Sequence, residues 1–222
     1  MISQTLLNTF KLIGPMSAEL ESRLNDVFFE RIVQKRDFLL QKGEYCNQVY
    51  YIEQGLFRYF HHVPGYDGKP KIACSWFLKE DDFILSPYSW YLNKRSNEYI
   101  QALEDSLVYG VSRDDLEKLY RDFPDMNARG RILTEKYYVM NEVRLFEIRL
   151  RSAYERYVMF HEKNKDLIKR VPISYIASYL DLSRESIHKV RLSYKLAGGD
   201  VDDYFDIKDE EDTPIAYDKN EY

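Results

Sequence analysis

The sequence predicts an α+β chain: an N-terminal β domain of jelly-roll or related closed type, a long helix, and a C-terminal helix-turn-helix. Three observations predict it. Residues 28–111 break into short β-type runs separated by turn residues. Residues 124–151 hold a single proline, at their start, and a single glycine, Gly130. Residues 172–191 carry the anchor spacing of two short crossed helices. The chain divides accordingly into a β domain over 1–123, a long helix over 124–151, a helical end over 152–199 and an acidic tail over 200–222.

The first 25 or so residues read as short helices, with Leu20 and Leu24 on one face and Gly14-Pro15 breaking the chain before them. The β runs then include Gln48–Glu53, Gly55–Phe60, Ile72–Phe77 and Tyr99–Leu103, punctuated at Lys42–Glu44, Gln54-Gly55, Pro64–Gly68 and Glu80–Asp82. Short strands at such spacing suit a sandwich, barrel or jelly roll. Arg113–Phe123 is a short amphipathic helix stopped before Pro124, which fits the first turn of the next one. That next helix would reach about 40 Å at ~1.5 Å per residue, more than a small domain needs for its own packing. Two apolar stripes run along it: Leu133, Tyr137 and Met140, then Val139, Val143, Phe146 and Leu150. Two stripes suit two partners, the chain's own β domain and a second subunit; one broad stripe inside a monomer is the other reading.

With 222 residues, 45% of them hydrophobic, the chain can bury a sizeable core. No run approaches the ~18–20 apolar residues of a membrane span. The opening residues lack the basic start and long apolar stretch of a secretory signal, and two cysteines are too few for a disulfide scaffold, so a cytoplasmic location is expected. The net charge of −5 is unevenly spread. Residues 200–222 hold ten acids against Lys208 and Lys219, a net −8, whereas residues 144–199 hold twelve Lys/Arg against six acids, a net +6. An acidic whole therefore does not exclude a nucleic-acid partner for the basic part. The tail composition predicts weak order, with Tyr204, Phe205, Ile207, Ile215 and Tyr217 giving it some capacity to dock. It could compete with phosphate at the basic surface or serve as a solubilising appendage.

Chemistry concentrates in the stretch after Pro172. Ala177 is the small residue a close helix crossing needs; Ile176, Leu180, Leu182, Ile187 and Val190 are its anchors; Asp181 occupies the turn and tolerates a left-handed backbone. Ser183 is a good N-cap for the second helix. A helix starting there and lying in a major groove would present Arg184 to guanine, Glu185 to a cytosine amino group and Lys189 to guanine or phosphate. Ser183, Ser186, His188, Arg191 and Lys195 are then mixed base and phosphate contacts. An ordinary helical hairpin with a solvated basic face is the alternative. The four histidines, His61, His62, His161 and His188, give no convergent ligand set, so no metal, cofactor or cupin-type enzyme is expected.

This arrangement resembles the Crp/Fnr family of bacterial transcription regulators. Gln41–Tyr59, Glu80–Phe83 and Ile100–Asp105 follow the rhythm of its β half, and Ser183–Lys189 is similar to its recognition-helix motif. The resemblance, over roughly 5–195, implies a cyclic-nucleotide-binding-like β-roll, a dimerisation helix and a winged helix-turn-helix, with Arg184, Glu185 and Lys189 as specificity residues. It implies double-stranded DNA with a pseudo-palindromic site, a second copy of the chain, a small-molecule effector and RNA polymerase as partners. The effector would meet Leu85, Ser86, Tyr88, Arg95, Ser96 and Asn97. Cyclic-AMP binders of the family carry Gly-Glu where this chain has Leu85-Ser86, and Arg-Ser or Arg-Thr where it has Ser96-Asn97, with Arg95 one place early. No tight binding of cyclic AMP is therefore expected. Trp76, Phe77, Tyr88, Trp90 and Tyr91 serve the core or an aromatic pocket. A β-roll binding or protein-interaction module whose helical end does not touch DNA is the competing function.

Overall fold

The computed structural model describes residues 1–65 and 70–200. Two helices open the chain, α1 (Gln4–Ile13) and α2 (Ala18–Val27), each N-capped by a serine hydroxyl, Ser3 and Ser17. Eight strands follow: β1 (Phe29–Val33), β2 (Phe38–Leu40), β3 (Gln48–Gln54), β4 (Phe57–Pro64), β5 (Pro70–Leu78), β6 (Phe83–Ile84), β7 (Tyr99–Ala102) and β8 (Ser106–Ser112). A short helix, α3 (Pro87–Leu92), interrupts them between β6 and β7. The strands form two four-stranded sheets, in the orders β1-β8-β3-β6 and β2-β7-β4-β5. The expected N-terminal β-sheet domain is present.

The described residues cluster into two compact units: Met1–Phe60 with Trp76–Met140, and those of His61–Ser75 with those from Asn141 to Asp200. In the first unit, strand alternation builds two cores from one strand. Val49 and Tyr51 of β3 pack with Leu6, Phe10, Leu20 and Leu24 of the opening helices. Tyr50 and Ile52 turn the other way, to Leu40, Phe57, Ile84, Ile100 and Val108 inside the roll. Leu20 and Leu24, paired by sequence spacing, are fully buried. Gly55 turns β3 into β4 with φ +122°, and a Cβ there would lie 2.0 Å from the Ser106 hydroxyl oxygen, so both conformation and space require glycine.

α4 (Arg113–Asp122) leads into α5 (Pro124–Leu150), the 27-residue long helix. Leu133 packs on the helix-side core and Tyr137 on the roll core. The Tyr137 hydroxyl accepts the Phe83 amide at 2.7 Å and reaches the Asp82 carboxylate at 3.2 Å. Leu133 and Tyr137 of the first stripe thus pack on the chain's own domain. Outward stand Ile132, Val139, Val143, Phe146 and Leu150, 39–67% exposed, with Met140 at 36%. The outward set recurs at alternating three- and four-residue steps with Lys136, the period of a coiled-coil seam.

Beyond α5 the second unit holds α6 (Ala153–Lys163), α7 (Lys165–Ile168), α8 (Ile173–Tyr179) and α9 (Arg184–Leu196). Ser152 and Glu155 form a full capping box at the start of α6. Helices and short turns use up residues 152–200, so the wing implied by the family resemblance is not among them. The expected weak order of the acidic tail concerns residues 201–222, which lie outside the described residues.

Candidate nucleic-acid interface and effector cavity

α8 and α9 cross where the sequence places a small residue. Ala177 is buried, and Ile173, Ile176, Leu180, Leu182 and Ile187 close the contact, Ile176 and Ile187 completely. The turn is built by Asp181 at φ +52°, the left-handed conformation, while the Leu182 amide donates to the Ala177 carbonyl at 2.9 Å. Ser183 then caps α9, its hydroxyl accepting the Ser186 amide at 3.0 Å. The same hydroxyl lies 3.0 Å from a Glu185 carboxylate oxygen; with the Glu185 amide, it holds that carboxyl below the usual carboxylate range.

One side of α9 packs inward through Ile187, with Val190, Arg191 and Tyr194 half-buried beside it. Tyr194 meets Tyr157 and His161 of α6 at ring-centroid distances of 5.9 and 5.1 Å. The opposite side exposes Arg184, Glu185, His188, Lys189, Leu192, Lys195 and Leu196. Of the expected DNA contacts, Ser183, Arg184, Glu185, His188 and Lys189 are exposed, and Ser186 and Arg191 are half-buried. The N-terminal end of α9 is thus a polar, largely cationic ridge held from beneath by an apolar crossing. Such an end can enter a major groove.

α8 is tethered within the same unit. The Ser178 hydroxyl donates to the Ile72 carbonyl and accepts the Cys74 amide, both at 2.9 Å, joining α8 to β5. From α5, Arg144 donates to the Tyr179 carbonyl at 3.2 Å and stacks over the Tyr179 ring at 4.5 Å. Neither tether was evident in the sequence, because Ser178 and Arg144 are ordinary surface residues by type.

In the first unit a cavity of about 400 Å³ is walled by Leu40, Cys46, Tyr50, Ile84, Leu85 and Ile100 and edged by Glu44, Asn47 and Gln48. Of the effector residues expected from the sequence, it includes Leu85 alone. Ser86 and Ser96 are buried and engaged with Glu98: the Ser86 hydroxyl donates to the Glu98 carboxylate, and Ser96 bonds both the amide and the carbonyl of Glu98. Tyr88 is 39% exposed, and Asn97 is exposed. Arg95 turns to the Gly43 carbonyl at 2.7 Å and lies over the Tyr45 ring at 5.1 Å. The expected six are therefore not gathered in this cavity.

Glu98 was missed by sequence reasoning, although a signal existed. Ile100 and Ala102 of β7 face the roll interior, and two-residue periodicity carries that face back to Glu98. Glu98 is only 8% exposed. Burial, chiefly, pushes the Tyr59 hydroxyl and the Cys46 thiol upward, and the Glu98 charge adds to both shifts. Cys46 is thereby kept a thiol rather than a reactive thiolate.

Residues 30–123 match the cyclic nucleotide-binding domain family. No curated protein matches the chain significantly. Solved structures do. FixK2 from Bradyrhizobium japonicum aligns with TM-score 0.66 at 18% identity, covering 78% of this chain and 86% of its own. A protein described as a transcriptional regulator of the Crp/Fnr family, from Eubacterium rectale, aligns with TM-score 0.64 at 16% identity, over 86% of this chain and 89% of its own. The c-di-GMP-responsive global regulator CLP from Xanthomonas campestris gives 0.62 at 15% identity, over 82% and 93%. Residues 30–123 thus resemble a cyclic nucleotide-binding domain, and the fold of the chain is shared with these solved structures. Among the described residues, no helix is long and apolar enough to cross a membrane.

Proposed function

We propose that the protein is a homodimeric, sequence-specific, DNA-binding transcription regulator whose β-roll answers to an effector other than cyclic AMP. The observation that carries this reading is the exposed ridge of Arg184, Glu185, His188 and Lys189 at the capped N-terminal end of α9. The fold it shares with proteins described as transcription regulators supports it. Pairing of two α5 seams would bring two copies of α9 to one duplex. Purified protein titrated on duplex DNA tests the reading. Affinity should fall steeply and log-linearly with salt, because several Lys/Arg side chains displace counterions. Salt-independent binding, or none, favours the protein-interaction alternative.

Cyclic AMP needs donors for its phosphate; Glu98 is a buried carboxyl side chain, and Arg95 is turned to the Gly43 carbonyl. Cyclic AMP should leave the thermal midpoint within about 1 °C of the free protein, since stabilisation follows occupancy. A shift of several degrees would show that Arg95 or another donor turns inward.

A further inference from the structure

α9 ends abruptly. The Gly198 amide donates to the Lys195 carbonyl at 3.1 Å and the Gly199 amide to the Tyr194 carbonyl at 3.0 Å, with Gly198 at φ +85°, the paired bonds of a Schellman turn. Just before it, Leu192 and Leu196 are 60% and 80% exposed, one helical turn apart and in line with Glu185 and Lys189. Major-groove recognition uses the other end of the helix, so it does not account for two leucines left in water.

The chain that follows has the chemistry to cover them. Residues 200–222 place Tyr204, Phe205 and Ile207 within four positions, then Asp209, Glu210, Glu211 and Asp212 in a row. At most ~3.5 Å per residue, Tyr204 lies up to about 17 Å from Gly199, ample for leucines in the last two turns. Arg184 stands about 18 Å along the axis from Leu196, and the acidic row begins ten residues past Gly199, a span of up to about 35 Å. Apolar matches apolar near the turn, and acid then falls on the basic ridge.

We propose that residues 200–222 are an intramolecular DNA mimic: Tyr204 and Phe205 seat on Leu192 and Leu196, and the acids occupy the phosphate-binding face of α9. The proposal rests on the DNA-binding reading of that face. Its test compares the full chain, the full chain carrying Tyr204→Ser and Phe205→Ser, and a chain ended after Gly199, where the helix is already capped. A fluorescein-labelled peptide of residues 200–222 supplies a DNA-free readout. The peptide should bind the shortened chain and not the full one. Duplex affinity should rise roughly tenfold on shortening at low salt and converge at high salt, as screening predicts. The double serine variant should reproduce most of that rise. If the rise occurs without the serine variant sharing it, diffuse repulsion replaces docking and the proposal fails. No peptide binding and no change in duplex affinity also overturn it, and leave the DNA-binding reading intact. Peptide binding by a shortened chain that binds no duplex keeps the docked segment and removes the DNA-binding reading.

Discussion

Replacing Arg184 by alanine is expected to abolish base preference at one position of each half-site while leaving the protein folded. Arg184 is the first residue of α9 and is exposed; the helix is held by the Ser183 cap and by fully buried Ile187, neither of which depends on its guanidinium. A bidentate arginine–guanine pair is worth about 1–3 kcal/mol of discrimination, so affinity for the preferred duplex should fall roughly 5- to 150-fold. Binding to unrelated duplex should change much less. The measurement is a competition titration with preferred and scrambled duplexes, alongside a thermal melt. An equal loss on both duplexes would place Arg184 on phosphate; a lost melt would place it in the fold.

The second large effect is on stability. Arg129 is 3% exposed on α5, and its guanidinium donates to the carbonyls of Phe10 at 3.1 Å, Asp125 at 2.8 Å and Gly14 at 2.7 Å, and to that of Pro15. Three of these carbonyls lie at or just beyond the end of α1, where the helix has no backbone partners left for them. Arg129→Ala removes every one of those donors and opens a hole beneath α1. Charged hydrogen bonds contribute about 1.5–3 kcal/mol each and are not additive, so a loss of about 3–5 kcal/mol is expected. For a chain of this length that corresponds to a fall of roughly 10 °C in thermal midpoint. Arg129→Lys keeps the charge but lacks the fork, and should fall between. A melt unchanged by Arg129→Ala would mean that water replaces the guanidinium.

Local signals were legible and convergent ones were not. The crossed helices could be read because their determinants are contiguous: a small residue, apolar anchors, a left-handed aspartate and a serine cap, all found in place at Ala177, Ile176, Asp181 and Ser183. The long helix was equally plain, since nothing between Pro124 and Leu150 forces a break. Which stripe of it faces which partner was harder: Leu133 and Tyr137 face the chain's own cores, and Ile132 joins the outward seam. Sheet order depends on pairing between distant segments and left no local trace. The effector residues were placed by motif correspondence, which follows chain position. The cavity instead gathers Leu40, Cys46, Tyr50 and Ile100 from separate strands and a loop. Arg129 looked like any helix surface arginine until α1 was seen to end against it.

The central claim is that two copies of α9 read one duplex. It is tested most directly by selecting preferred sequences from a random duplex library with the purified full chain. The expected result is a pair of inverted half-sites with centres about one helical turn apart, ~34 Å or 10 base pairs. Enrichment of a lone half-site, or of nothing at all, would contradict it.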